Sequence, residues 1–437
     1  MSDYIIHTES DIKEMLKVSK VRNINQLFSP IPKNLRAKKL KIASGKSQLE
    51  VAKYFKALSV LNKEYSSVMR GAGAYNHYIP PVVNHLSSRE EFVTAYTPYQ
   101  AEMSQGVLQS IFEYQTMISN LTGMDISNAS MYDGPSAAAE AVIMSIEKNR
   151  KKLIVSVNIN PTTMKVLKTH LDPLGISIIT VGQAGKTAVN DIAKALNEEI
   201  AAVYIEQPNF YGIIEDADKI GEVVKATKAN YIMGVNPISL AVIKSPSLCG
   251  ADIVIGEGQP LGMPLSFGGP YLGFLTAKEK LVRKMPGRIV GETVDADGKK
   301  AYVLTLQARE QHIRREKALS NICSNQALCA LKAGIYLSAN GPEGLLDVAT
   351  QCASKAHYAR DIFVGTGLMS EVFKDEFFHE FVLKSNISAD SILEALDKKN
   401  ILGGLKICDN MILWCITEMV TKDDIIKAAK IMKGLKV

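Results

Sequence analysis

Three segments of the chain carry residue types and spacings that suit chemistry. Tyr132-Asp133-Gly134-Pro135-Ser136-Ala137-Ala138-Ala139-Glu140 reads as a helix opened by glycine and small residues. Such a start gathers free backbone N–H groups and the positive end of the helix dipole at one point, which suits a phosphate or another anion. Close helix packing is the alternative reading, and Asp133 favours it, because a carboxylate repels an anion beside it unless neutralised. The second segment, Gly256-Glu257-Gly258-Gln259-Pro260-Leu261-Gly262 with its continuation Ser266-Phe267-Gly268-Gly269-Pro270, follows an apolar run and so lies at a strand's carboxyl end. Its glycines permit close backbone approach and positive φ; a pair of tight turns is the alternative. The third runs from Arg309 to Lys317 (Arg-Glu-Gln-His-Ile-Arg-Arg-Glu-Lys) into Ser320-Asn321-Ile322-Cys323-Ser324-Asn325. Basic side chains next to a helix N-terminus suit a carboxylate, while a solvated face with Glu310 and Glu316 as ion-pair partners explains the same charges.

Other patterns exclude chemistry. His77 and His85 form neither H-x-x-x-H nor H-E-x-x-H, and no cysteine or carboxylate cluster completes a metal site in the sequence. No G-x-S-x-G nucleophile elbow is present. Gly71-Ala72-Gly73-Ala74 is glycine-rich but lacks the flanking strand and helix of a dinucleotide site.

The elements that must position these segments follow from periodicity. Compact apolar runs at 153–157, 176–181, 201–205, 231–235, 252–255 and 271–275 read as strands, and 161–171, 191–196 and 218–227 as helices between them. Short apolar strands alternating with helices predict a parallel sheet covered on both faces, with ligands at the strands' carboxyl ends. A long helix is expected over 104–122. Residues 1–75 read as a helical arm that packs on something else, 76–325 as a large α/β domain and 326–437 as a smaller α+β domain. In the last, a helix starts after Ser324, Gly341-Pro342-Glu343-Gly344 is a turn, 380–383 and 410–415 are strands, and 423–432 is a closing helix.

The 437 residues carry 51 Lys plus Arg against 45 Asp plus Glu, an excess of six spread over the chain rather than gathered in the stripe of a nucleic-acid binder. Hydrophobic residues at 46% and charged residues at 22% exclude a disordered or fibrous chain. Six cysteines at irregular spacing, most among apolar neighbours, read as reduced thiols. No apolar run approaches the ~18 residues of a membrane span, and the start is too polar for a signal peptide, so a cytoplasmic location is expected.

Taken together, Gly71-Ala72-Gly73-Ala74-Tyr75-Asn76-His77-Tyr78-Ile79-Pro80, Thr94-Ala95-Tyr96-Thr97-Pro98-Tyr99-Gln100, Ala308 to Ala318 and Ser320 to Leu328 resemble the P-protein of the glycine cleavage system. The length matches the α chain, or subunit 1, of the split two-chain form. The resemblance implies the aspartate-aminotransferase-like fold of pyridoxal-phosphate enzymes (fold type I), a large domain with a mostly parallel sheet and a small C-terminal domain. It implies that glycine loses CO2 on pyridoxal phosphate and that the aminomethyl group passes to the lipoyl arm of the H-protein.

Enzymes of that fold need a lysine for the Schiff base and an Asp against the ring nitrogen. Gln259 and Pro260 stand where the lysine is expected, no lysine occurs between Lys244 and Lys278, and Asn236 stands at the Asp position. Gly134, Ser136, Asn236, Gln259 and Pro260 thus read as a vestigial cofactor pocket. The expectation is a chain that binds no cofactor or metal of its own and is inactive alone, working with a β subunit that carries pyridoxal phosphate. Tyr96, Thr97, Tyr99 and Gln100, then Arg309, His312 and Arg314, are the residues expected to line a cleft shared with that partner. Two alternatives stand beside this: an autonomous pyridoxal-phosphate lyase or transferase using a displaced lysine such as Lys244 or Lys278, and a docking scaffold without catalytic residues.

Overall fold

The computed structural model describes residues 6–36, 42–318, 320, 322 and 325–435. They fall into two compact units, residues 1–63 and 64–437. In the first, helices Glu9–Val18 and Gln48–Ser59 each begin with a capping box, Thr8 with Asp11 and Ser47 with Glu50, which satisfies two of the orphan N–H groups of each helix start. Neither helix buries a residue, and Val18, Leu49 and Phe55 are exposed.

The second unit is built on a seven-stranded sheet. Its strands are β1 (Ile126–Ser127), β2 (Lys152–Ser156), β3 (Ser177–Val181), β4 (Ile200–Gln207), β5 (Asn230–Val235), β6 (Ile253–Glu257) and β7 (Gly273–Ala277), in the order β1-β7-β6-β5-β4-β2-β3. The five from β3 to β6 run parallel, as the alternation of apolar runs and helices predicts; β7 is antiparallel to β6 and to β1. The reading of 271–275 as one more strand of a parallel set is corrected there. The chain returns from β6 through the 258–272 loop with no α-helical crossover, and β7 comes back antiparallel beside it.

Side chains alternate between two cores across the sheet. Ile154, Val203, Ile205, Tyr231, Met233, Val235, Val254 and Phe274 pack toward the helices Gln105–Thr122, Val189–Ala195, Ala217–Lys225 and Ala327–Val364. Leu153, Val155, Ala202, Tyr204, Ile232, Ile253, Ile255 and Leu275 pack toward the helices Gly134–Ser145 and Pro161–Leu171. Each central strand is therefore apolar on both faces, which is why these segments read as continuous apolar runs.

A four-stranded antiparallel sheet, in the order Met369–Glu371, Glu380–Ser385, Met411–Cys415, Leu405–Cys408, carries its own core around the fully buried Trp414 with Phe363, Phe381 and Ile425. The helix Ala327–Val364 leads into it. Residues 341–344, read as a turn, are instead a break within this 38-residue helix: Gly341 has φ +61°, and Pro342 restarts the helix at a position where its missing N–H costs nothing. Ser324, expected to cap this helix, lies outside the described residues; the cap position is Gln326. A hairpin, Ile289–Val294 with Lys300–Thr305, escaped the sequence reading because its outer half is polar and exposed.

Candidate functional site

The register of the sheet brings several strand ends level. Glu206 of β4 lies opposite Gly234 of β5, and Val235 lies opposite Gly256 of β6. Above them opens a cavity of about 330 Å³. Its walls are those strand ends, the starts of the helices at Asp133–Pro135 and Asn160–Thr163, Tyr271, and the loop Gly71–Tyr75. Gly234 must be glycine here: a Cβ on it would stand 2.5 Å from the Tyr204 hydroxyl, which reaches past it to Glu206 Oε1 at 2.9 Å.

Carboxylates dominate the cavity. Glu206 accepts the Asn160 N–H at 2.7 Å as well as the Tyr204 hydroxyl, and burial raises its pKa. Glu257 closes β6 and takes three backbone N–H groups: Gly134 on Oε2, and Gln259 and Leu272 on Oε1, each at 3.0 Å. Burial pushes its carboxyl up to about 7 against the pull of those three donors. Asp133 caps the next helix by accepting the Ser136 N–H at 2.7 Å. Among the described residues lining the cavity there is no lysine, arginine or histidine.

The glycine-rich loop is pinned as one wall. Ala72 N–H and the Tyr75 hydroxyl both donate to Glu380, at 2.6 and 2.8 Å. Tyr75 N–H donates to Gln259 Oε1 at 2.8 Å, and Gln259 Nε2 donates to Tyr75 O at 2.9 Å and Met263 O at 2.8 Å. Burial raises Glu380 to about 7. Behind the loop, Glu418 accepts the Tyr78 N–H at 2.6 Å, its Oε2 lies 2.7 Å from His77 Nδ1, and the Cys352 thiol donates to that oxygen at 3.4 Å. These three side chains have ligand atoms within 4.8 Å of one another, a grouping the sequence does not reveal, yet they already bond to each other.

Of the residues read as a vestigial pocket, Gly134 and Asn236 line the cavity. Ser136 is turned into its own capping box, with its hydroxyl on Asp133 O. Gln259, only 1% exposed, and Pro260 do not line the cavity, and the Gln259 amide is spent on Tyr75 and Met263. Lys244 and Lys278 are not part of the lining; they pair with Asp218 at 3.2 Å and Asp252 at 3.0 Å.

The shared-cleft candidates lie elsewhere. None of Tyr96, Thr97, Tyr99, Gln100, Arg309, His312 and Arg314 lines the cavity. Tyr99 and His312 meet edge to face with centroids 6.1 Å apart, and the buried Arg288 donates to the Tyr99 hydroxyl at 2.9 Å with its guanidinium 5.3 Å from that ring. Glu310 Oε2 lies 3.8 Å from His312 Nδ1 and 3.9 Å from Arg288 Nε. Arg309 donates to Met285 O, while its Nε and Nη2 and Glu310 Oε1 are buried with no hydrogen-bond partner among the described residues. Tyr96 is 84% exposed. Thr97 O accepts the Tyr99 N–H, and Gln100 precedes a short turn of helix. Arg314 ends the four-residue helix Gln311–Arg314 and is exposed.

Glu206, Glu257, Tyr204 and Glu380 were not singled out from the sequence. For the first two a signal existed, a carboxylate closing an apolar run in a parallel sheet. Glu380 had none, since it meets Ala72 across 308 positions of chain.

With this geometry in view, the family model for the glycine cleavage system P-protein matches residues 2–432. The chain is 51% identical over 435 residues to a probable glycine dehydrogenase (decarboxylating) subunit 1 of Desulfitobacterium hafniense, covering 97% of each. It is 45% identical to the protein of the same name from Moorella thermoacetica, covering 99% of each. A crystal structure of glycine decarboxylase (P-protein) of the glycine cleavage system in inhibitor-bound form superposes with a TM-score of 0.93 at 38% identity over 99% of both chains. An aspartate aminotransferase from Thermus thermophilus, at 12% identity and a TM-score of 0.57 over 84% of this chain and 98% of its own, shares the fold alone. The fold is that of the aspartate-aminotransferase-like, type I pyridoxal-phosphate enzymes, and the chain belongs to the glycine cleavage system P-protein family.

Proposed function

We propose that this chain is the subunit of the P-protein that holds no pyridoxal phosphate. A β subunit bears the cofactor, the pair decarboxylates glycine, and the aminomethyl group goes to the lipoyl group of the H-protein. The observation that carries this reading is the chemistry of the cavity and of the loop beside it. Pyridoxal phosphate does not fit the residues present: the lysine position is Gln259 with its amide committed elsewhere, and the ring-nitrogen position is Asn236, whose Oδ1 accepts the Ile238 N–H at 2.9 Å. Asp133, Glu206 and Glu257 line the space a phosphate would need.

What this chain supplies is the other face. Tyr96, Thr97, Tyr99, Gln100, Arg309, His312 and Arg314 border the partner's site, where His312 and Tyr99 are placed to hold or move a proton and the guanidinium of Arg309, with two of its nitrogens unpartnered, suits a carboxylate. Glycine presents such a carboxylate. Co-expression with the β chain tests the reading. Glycine-dependent CO2 release is expected from the pair and from neither chain alone, and release by this chain alone overturns it.

A further inference from the structure

We infer that the Glu257 carboxyl serves this chain as a built-in substitute for a phosphate, seated where the fold otherwise receives that group of a cofactor, and that it keeps that cradle shut. The inference deepens the functional reading above and rests on it. Every N–H donor at the start of the helix Gly134–Ser145 is taken within the chain. A helix start has orphan N–H groups that a phosphate can use. Here Gly134 N–H donates to Glu257 Oε2 at 3.0 Å. Pro135 has no N–H. Ser136 N–H donates to Asp133 Oδ1 at 2.7 Å, and Ala137 N–H donates to Asp133 O at 3.0 Å. No donor of the first turn is left for an external oxyanion.

The second carboxylate oxygen of Glu257 ties the plug to the strand ends. It accepts Gln259 N–H and Leu272 N–H, so one side chain joins the helix start, the loop after β6 and the lead into β7. With the helix dipole behind it, this carboxylate does for the helix what a phosphate does in a loaded site. A phosphate brought to the same point meets Glu257 and Asp133 at close range with no lining cation to offset them. The aldehyde end is excluded by a missing amine, and the phosphate end by a carboxyl already in place, joined to each other through the Gln259 N–H.

Removing the plug creates a gain that a purely structural tie does not predict. The full chain and its Glu257→Ala and Glu257→Ser variants are melted with inorganic phosphate and with chloride at matched ionic strength. The serine variant leaves a hydroxyl that can accept one of the freed N–H groups where alanine leaves the turn too weak to fold. At a phosphate concentration about ten times its Kd, mass action raises the melting midpoint of a folded variant by roughly 2 °C. The unaltered chain shows no phosphate-specific rise. A rise in the unaltered chain equal to that of the variants overturns the inference, as does a folded variant that melts alike in both salts. An error in the functional reading shows elsewhere, as CO2 release from glycine by this chain alone, which the phosphate comparison does not measure.

Discussion

The cavity and the Tyr96–Arg314 face are opposites in how they treat polar groups. In the cavity each carboxylate is satisfied from within, Asp133 by Ser136, Glu206 by Asn160 and Tyr204, Glu257 by three backbone N–H groups, and behind the loop that walls it Glu380 is satisfied by Ala72 and Tyr75. On the face, guanidinium and carboxylate atoms of Arg288, Arg309 and Glu310 are buried with no hydrogen-bond partner among the described residues, and the rings of Tyr96 and Tyr99 are exposed. A buried polar atom left without a hydrogen bond is costly, and each one kept in a native fold calls for an explanation. The difference teaches that the cavity is closed in on its own hydrogen bonds, while the region that carries the functional hypothesis holds the buried polar atoms left without one.

Substitutions on the face break that comparison most directly. His312→Gln or Tyr96→Ala in the α/β pair is expected to lower glycine-dependent CO2 release by about 100-fold, the size of a lost acid–base or positioning group. Their side chains are 40% and more exposed, so the melting midpoint of the chain stays within about 1 °C. Undiminished turnover would leave the face a mere packing surface.

Gln259→Leu tests the other region. It removes three hydrogen bonds and leaves Tyr75 N–H, Tyr75 O and Met263 O unpartnered. A loss of about 2–3 kcal/mol in unfolding free energy is expected, measured by denaturant titration, with turnover per folded α/β pair unchanged within about twofold. A collapse of turnover in folded protein would return the cavity to the reaction.

Much of the sheet was legible because β2, β4, β5 and β6 are buried on both faces, so their sequences are nearly unbroken apolar runs that need no tertiary information. β1, two residues long, and the half-polar hairpin at 289–305 leave no such trace. The site was legible where a residue acts through its own position: Gly134 and Asn236 stand at strand and helix ends and line the cavity. It was illegible where orientation decides. Gln259 has the right place in the chain, but the pairing with Tyr75, 184 positions away, turns its amide out of the cavity. Glu257 lies in a segment read as site-forming, yet nothing in its spacing tells that it reaches back to Gly134, 123 positions earlier.

The mildest test uses pH. Burial raises Glu380 from 4.5 to about 7, so the folded chain holds a proton there that the unfolded chain gives up. A folded pKa above the unfolded one contributes stability that is fully present below about 4.5 and is lost as pH rises through about 7. Glu257 shifts in the same direction. The unaltered chain should therefore lose stability between pH 5.5 and 8. Glu380→Gln removes this titration while keeping an oxygen for the Ala72 N–H and an amide donor for the Tyr75 hydroxyl. The variant should show a shallower fall across that range, by roughly 2 kcal/mol out of a ceiling near 3, followed by denaturant titration at each pH. Tyr96→Ala, on the opposite kind of surface, should keep the original slope. Equal slopes in Glu380→Gln and the unaltered chain would mean that this carboxyl is ionised throughout. The cavity would then be holding buried charge, as the face does, and the contrast between the two regions would shrink to one of exposure.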